Sequence, residues 1–163
     1  MPEKKTIEKA QQDKKEGKAP STQAGEFVKE EMEHIREGKH GARNAQQAIA
    51  IGLSKARRAG VDLKPPEKGE ASEKTRKSAE SAYKKGQKGV PVSKNRSTAR
   101  EKALKKESGS AASHKALSKQ AKSAAKKRTA SDRSAAAKKA ARTKGPAKRS
   151  AAAKKAARTR ARK

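Results

Sequence analysis

Apolar residues in the first third of the chain recur every three to four positions between glycine and proline stops, a pattern that predicts short helices. A polar helix is predicted over residues 6–16, ending at Gly17. A second begins at residues 20–22 and ends at Gly38. Its single, modest apolar stripe contains Ala24, Phe27 or Val28, Glu31 or Met32, and Ile35.

The strongest helix prediction covers residues 44–60. Asn44 and Gln47 have the spacing of a capping box, and Gly60 supplies the end. Ile49, Leu53 and Ala56 share one face. Beside them runs a ridge of small residues, which would let the second helix approach closely: Ala45, Ala48, Gly52, Ala56 and Ala59. Residues 1–63 are therefore predicted to form a small all-α N-terminal module, either a helical hairpin or three short helices.

Composition changes at Pro65-Pro66. Residues 1–63 hold 13 Lys or Arg against 10 Asp or Glu, whereas residues 64–163 hold 33 against 7. Prolines stop a helix and stiffen the chain, so the domain break is predicted here. Residues 64–92 are predicted as a flexible linker, with nascent helix over 72–85, and residues 93–163 as a Lys/Arg/Ala-rich tail.

The tail spells RSAAAKKAART twice, sixteen residues apart, within the repeat units 133–144 and 149–160. Nothing in that phrase is more apolar than alanine, so it cannot build a core. Ala, Lys and Arg favour helix, and Ser134 and Ser150 are candidate caps. Each copy is nevertheless close to the length below which isolated helices are marginal, and its charges repel. The fold class predicted is thus a helical module followed by a long, largely disordered basic tail with inducible helices.

The charge of the tail predicts a polyanionic partner. From residue 108 onward there are 19 basic residues and one acidic residue, within a chain of net charge +29. No device for reading bases is visible, so nucleic-acid binding is predicted to be non-specific. The predicted phosphate contacts are Arg133, Lys138, Lys139, Arg142, Lys144, Arg149, Lys154, Lys155, Arg158 and Arg160.

Several classes of function are disfavoured. Cysteine is absent, which excludes disulfides and thiolate sites, and the longest apolar run, residues 48–53, is too short to span a membrane. No signal-peptide core is visible. The protein is therefore expected to be intracellular and non-enzymatic, with no catalytic residue, no cofactor, no metal and no membrane partner.

Histidines and carboxylates on the second helix and just after it invite a sharper interpretation. His34 and His40 lie near a run of acidic residues, but their spacing matches no zinc signature. Paired carboxylates would need a cleft to become catalytic. Solvated histidines and a solvated helix face are the predictions for this cluster, whose acidic members are Glu30, Glu31, Glu33 and Glu37.

Two further segments have alternative interpretations. The glycine-rich residues 38–44 could hold an anion before a helix N-terminus, but an inter-helix turn is favoured. The third helix could act as a recognition helix in a helix-turn-helix motif. The favoured alternative is a plain packing helix whose Arg57-Arg58 pair complements the helix dipole. The basic residues in question are Arg43, Lys55, Arg57 and Arg58.

Two resemblances bear on function. Residues 122–128 and the twin RSAAAKKAART resemble the tails of linker histones and of bacterial histone-like proteins, which implies DNA compaction by charge neutralisation. The tail departs from them in having no Ser-Pro-Lys-Lys element. Residues 20–60, PSTQAGEFVKEEMEHIREGKHGARNAQQAIAIGLSKARRAG, resemble a small uncharacterised bacterial domain that often precedes basic tails. This implies a bacterial source but no activity.

The sequence therefore predicts a cytoplasmic, nucleoid-associated, histone-like protein that binds duplex DNA without sequence specificity. RNA or ribosome binding is the first alternative, because the electrostatics are the same. A hydrophilic stress protectant is the second, based on the Lys/Glu/Ala/Ser-rich residues 70–85. Self-association or partner contact is the predicted role of the N-terminal helices.

Overall fold

The computed structural model describes residues 2–161, so the outermost residues of the predicted module and tail (1, 162 and 163) lie outside the described part. The described residues form two compact units that divide after Gln120. They contain seven α-helices and one short 3₁₀ helix, Gly109–Ala112. The α-helices are α1 Lys4–Lys15, α2 Pro20–Arg36, α3 Ala45–Arg58, α4 Glu73–Gln87, α5 Lys94–Leu104, α6 His114–Lys127 and α7 Ala130–Ala161.

The three helices predicted for the N-terminal module are confirmed. They are followed by Gly17, Gly38 and Gly60, each with a positive φ, as a left-handed helix stop requires. At the start of α3, Asn44 Oδ1 accepts a hydrogen bond of 2.9 Å from the Gln47 amide. Gln47 reaches back to the amide of Arg43 rather than that of Asn44, so the cap is reciprocal but shifted by one residue.

The ridge of small residues on α3 packs against α2, as predicted, except that Ala59 is exposed. Contact is closest at Gly52, where an added Cβ would lie 2.7 Å from Val28 Cα. Phe27 and Ile35 are fully buried on α2. Since the helix backbones nearly touch, few large side chains suffice to cover the core.

The segment predicted as a linker contains α4, which packs on α3. Ala79, Ala82 and Gly86 are its buried residues. An added Cβ at Gly86 would fall 1.8 Å from the Arg57 carbonyl oxygen, so only glycine fits there. Tyr83 donates a hydrogen bond of 2.5 Å to Asp62 Oδ1, which raises the pKa of the tyrosine.

Gly86→Ala is expected to separate α4 from the end of α3, because the methyl group would overlap backbone rather than a movable side chain. Amide hydrogen exchange should show lost protection throughout α4 while α1 stays protected. Ser81→Ala, at an exposed position of the same helix, is the matched control and should leave exchange unchanged. Equal protection of α4 in both variants would contradict the close α3–α4 contact.

The first unit extends well beyond the predicted module. Ala111 and Ala112 are buried in a cluster with residues of α2 and α3, and Leu117 packs against it. Arg36 Nε donates to the Ala112 carbonyl oxygen at 3.2 Å. The core of this unit thus includes residues far beyond the module predicted over 1–63, because alanines buried against a neighbouring helix add to a core without adding apolar periodicity.

The prediction of a long, largely disordered tail is also wrong. Residues 130–161 form α7, which is helical throughout apart from a bend at Gly145 (φ 66, ψ 169) that precedes Pro146. Ser134 and Ser150 lie inside the helix and not at its caps. Instead, α7 begins with a reciprocal cap in which Thr129 Oγ1 accepts from the Asp132 amide and the Asp132 carboxylate accepts from Thr129.

The physical reason lies in segment length. The helical stretches on either side of Gly145 are longer than the eleven-residue phrase, so they reach the roughly 12–15 residues at which alanine-rich helices become stable. Pro146 takes the first position of the second stretch, where its missing amide costs nothing. Good helix formers and a capped start then outweigh the repulsion between like charges.

Candidate functional site

All ten predicted phosphate contacts lie on α7, and all ten are exposed. The only acidic residue of this segment, Asp132, has its carboxylate committed to the cap with Thr129, and those hydrogen bonds lower its pKa. Cationic side chains therefore project from a helix with no competing carboxylate beyond its first turn. The structure thus places all ten predicted residues, exposed to solvent, on one helical element.

The basic residues are distributed around α7 rather than confined to one face. At 3.6 residues per turn, Lys138, Lys139 and Arg142 span about 100° of the helix surface. Arg133 and Lys144 lie roughly on the opposite side, and the second copy repeats the arrangement with the sixteen-residue offset. The alanines fill the space between. Each helical stretch can thus meet phosphates on two sides.

The basic residues of α3 are mostly engaged within the first unit. Lys55 Nζ lies 2.7 Å from Glu31 Oε2. Arg57 is buried and donates to the Leu63 and Lys64 carbonyl oxygens, while Arg58 donates to the Val90 carbonyl oxygen. These contacts support a packing helix rather than a recognition helix. Burial also lowers the pKa of Arg57, which clamps the chain after α3.

Residues 38–44 form an inter-helix turn, which was the favoured prediction over an anion-binding site. The Gly41 amide donates to the Leu104 carbonyl oxygen, and the Ala42 amide donates to Ser108. Since these amides already have backbone partners, they are not free to hold an anion. Gly41 itself is required, because a Cβ there would lie 2.0 Å from the Glu107 carbonyl oxygen.

The acidic run on α2 is divided between two environments. Glu33 and Glu37 have exposed side chains, as predicted. Glu30 and Glu31 are 4% and 0% exposed, so the solvated-face prediction is wrong for both. His34 and His40 are largely covered as well, with side chains 13% and 12% exposed.

A buried polar cluster results, which consists of Glu30, Glu31, His34, His40 and Lys55. Spacing along the chain groups the two histidines with the two carboxylates, but it shows neither their burial nor the contribution of Lys55, which comes from α3. Close approach of α3, allowed by Gly52, brings Lys55 over the two carboxylates. The available signal for their burial was that Glu30 and Glu31 lie at helical positions that face the ridge of small residues on α3.

Comparison with protein-family models, curated proteins and solved structures found no match to this chain. Among residues 2–161, no helix is long and apolar enough to cross a membrane.

Proposed function

We propose that this chain is a non-enzymatic, nucleoid-associated protein that binds duplex DNA through α7 and compacts it by neutralising phosphates. The observation that carries the proposal is the set of ten exposed Lys and Arg side chains on one helical element whose single carboxylate is already engaged. Such a surface gains free energy when it displaces the counterions condensed on DNA.

A formed helix strengthens this binding. Ordering a disordered segment on its partner costs free energy, whereas a helix presents its charges already spaced. The stretches flanking Gly145 are each about 22–24 Å long, and a helix fits the major groove of a duplex. The bend at Gly145 changes the direction of the helix, so the two stretches can follow a curved phosphate backbone.

Charge on two sides of α7 supports compaction rather than simple coating. A helix lying in a groove can contact the phosphates of both strands that border it. A helix between two duplexes can contact both, which brings them together. Residues 121–163 contain no aromatic residue, Leu, Ile or Met, so Pro146 is the only residue there of the kinds that wedge between bases and kink DNA. They also contain no Asn or Gln to read adenine, although their Arg side chains can pair with guanine as well as with phosphate. We therefore expect phosphate contacts to dominate and sequence preference to be weak.

The stress-protectant alternative relied on residues 70–85, which fall largely in α4, a helix packed on α3 rather than a free hydrophilic segment. RNA binding uses the same electrostatics and is separated by experiment. Self-association through the N-terminal helices stays a prediction. The apolar faces of these helices are covered within the first unit, so self-association would have to use their polar faces.

The full chain should bind duplex DNA with a steep salt dependence. If about eight phosphates are contacted, the logarithm of the binding constant should fall with the logarithm of salt concentration at a slope near −7. Fluorescence anisotropy on two duplexes of unrelated sequence should give the same slope and affinity. A slope near zero would contradict phosphate neutralisation, and stronger binding to a structured RNA of equal length would favour the RNA alternative.

A further inference from the structure

The buried polar cluster of the first unit carries more negative charge than its one lysine neutralises. Glu31 is fully buried, and no described donor directs a hydrogen bond at either of its carboxylate oxygens. Lys55 Nζ lies 2.7 Å from Oε2 as an ion pair without hydrogen-bond alignment, and 3.6 Å from Oε1 of the neighbouring Glu30. One ammonium group thus serves two buried carboxylates, and Glu31 Oε1 is left over.

His40 presents its free nitrogen to that oxygen. Its Nδ1 lies 3.1 Å from the Gly41 carbonyl oxygen, and because a carbonyl only accepts, Nδ1 carries the proton. In the neutral ring Nε2 then carries a lone pair, 3.5 Å from Glu31 Oε1. A lone pair facing a buried carboxylate oxygen is repulsive unless a cation, either a metal ion or a proton on Nε2, lies between them.

His34 completes the arrangement. One ligand atom from each of Glu31, His34 and His40 lies within 4.8 Å of the other two. His34 Nε2 also lies 2.9 Å from Glu3 Oε1, which lowers the pKa of Glu3. Histidines that bind metals are typically oriented by a carboxylate or by a backbone carbonyl. Here His34 has the carboxylate of Glu3 as its partner, and His40 has the backbone carbonyl of Gly41.

We infer that Glu31, His34 and His40 form a binding site for a divalent transition-metal ion such as Zn²⁺. Two imidazoles and a carboxylate are ligands that zinc takes, at about 2.0–2.2 Å from the ion. Ligand atoms on one tetrahedral ion lie roughly 3.3 Å apart, so the three atoms need to close by about 1.5 Å at most. The ion would also neutralise the surplus buried charge, while Lys55 stays paired to Glu31 Oε2.

Such a site would join α2 to the turn that leads into α3. Its predicted effect is therefore on the stability of the first unit, and the inference does not depend on DNA binding by α7. Because metal binds the folded chain and not the separated ligands, zinc should raise the unfolding temperature.

Calorimetric titration of the metal-stripped full chain with Zn²⁺ tests the site. The chain should bind a single zinc ion, with an accompanying rise in unfolding temperature. His40→Ala should weaken binding at least about tenfold. His114→Ala is the matched control, because His114 is exposed and outside the cluster, and it should bind like the parent. Absence of binding, or equal affinity in both variants, would overturn the inference.

A second pair of variants covers the case in which His40→Ala fails to fold. Glu31→Gln keeps the shape of the side chain and removes a buried charge, so it should fold and lose at least about tenfold in zinc affinity. Glu33→Gln removes the same charge from an exposed position two residues away and should retain affinity. Equal zinc affinity in the two glutamine variants would exclude Glu31 as a ligand.

Discussion

Replacing the ten predicted phosphate contacts of α7 by Gln, with Lys148 kept, is expected to weaken binding to duplex DNA by about a thousandfold or more at moderate salt. Six to ten phosphate contacts account for effects of that size in protein–DNA association. Glutamine favours helix about as well as Lys and Arg, so the backbone should be kept while the charge is lost. Fluorescence anisotropy of the full-length variant measures the loss, and its salt slope should fall towards zero.

The control must lose as much charge from elsewhere. Ten exposed basic residues of the first unit can be replaced by Gln in one variant, which then has the same net charge as the α7 variant: Lys4, Lys5, Lys14, Lys15, Arg43, Lys64, Lys68, Lys74, Lys77 and Lys88. This control should retain most of the affinity and most of the salt slope. If both variants lose affinity equally, net charge alone drives binding and α7 has no special role.

Gly52→Ala should lower the free energy of unfolding of the first unit by about 2–3 kcal/mol. The new methyl group would lie 2.7 Å from Val28 Cα and 3.0 Å from the Phe27 carbonyl oxygen, both of them backbone atoms that cannot rotate away. Helices α2 and α3 must therefore move apart, which opens the core around Phe27. Urea unfolding followed by the fluorescence of Tyr83, on α4 of the same unit, measures the change.

Gly25→Ala provides the matched comparison. Gly25 lies inside α2 with nothing within 4 Å of an added Cβ, so the same substitution adds only helix propensity. Stability should rise by up to about 1 kcal/mol. Opposite signs for the two glycines would establish that α3 packs backbone to backbone on α2. A rise for Gly52→Ala as well would show that the contact is looser than the structure has it.

In the tail, the repeated phrase is not the segment that forms the helix. The repeated phrase is eleven residues long, whereas the helix starts earlier, at the Thr129–Asp132 cap, and passes through Ser134 and Ser150. Helix stability depends on the length of the capped segment and not on that of the repeat. Both the cap residues and the favourable propensities are local features that the sequence itself contains.

The buried cluster was harder to foresee. Glu30 and Glu31 follow one another in an acidic stretch whose other members, Glu33 and Glu37, are exposed. All four have the same charge, but Glu31 differs in lying on the apolar stripe of α2, four residues from Phe27. How closely α3 covers that stripe, and that Lys55 reaches the two carboxylates, depends on the packing of α2 against α3, which no local pattern encodes.

By itself, the sequence determined what local chemistry controls: the starts and stops of α1 to α3, the small ridge through Gly52, and the separation of charge along the chain. Glycines with positive φ, polar caps and helix propensity act over a few residues, and can be read in order. Tertiary structure alone decided that α4 packs at Gly86, that Ala111 and Ala112 enter the core, and that Glu31 meets His40 away from water. Burial is a property of contacts between distant segments, and it is burial that turns ordinary carboxylates and histidines into a site.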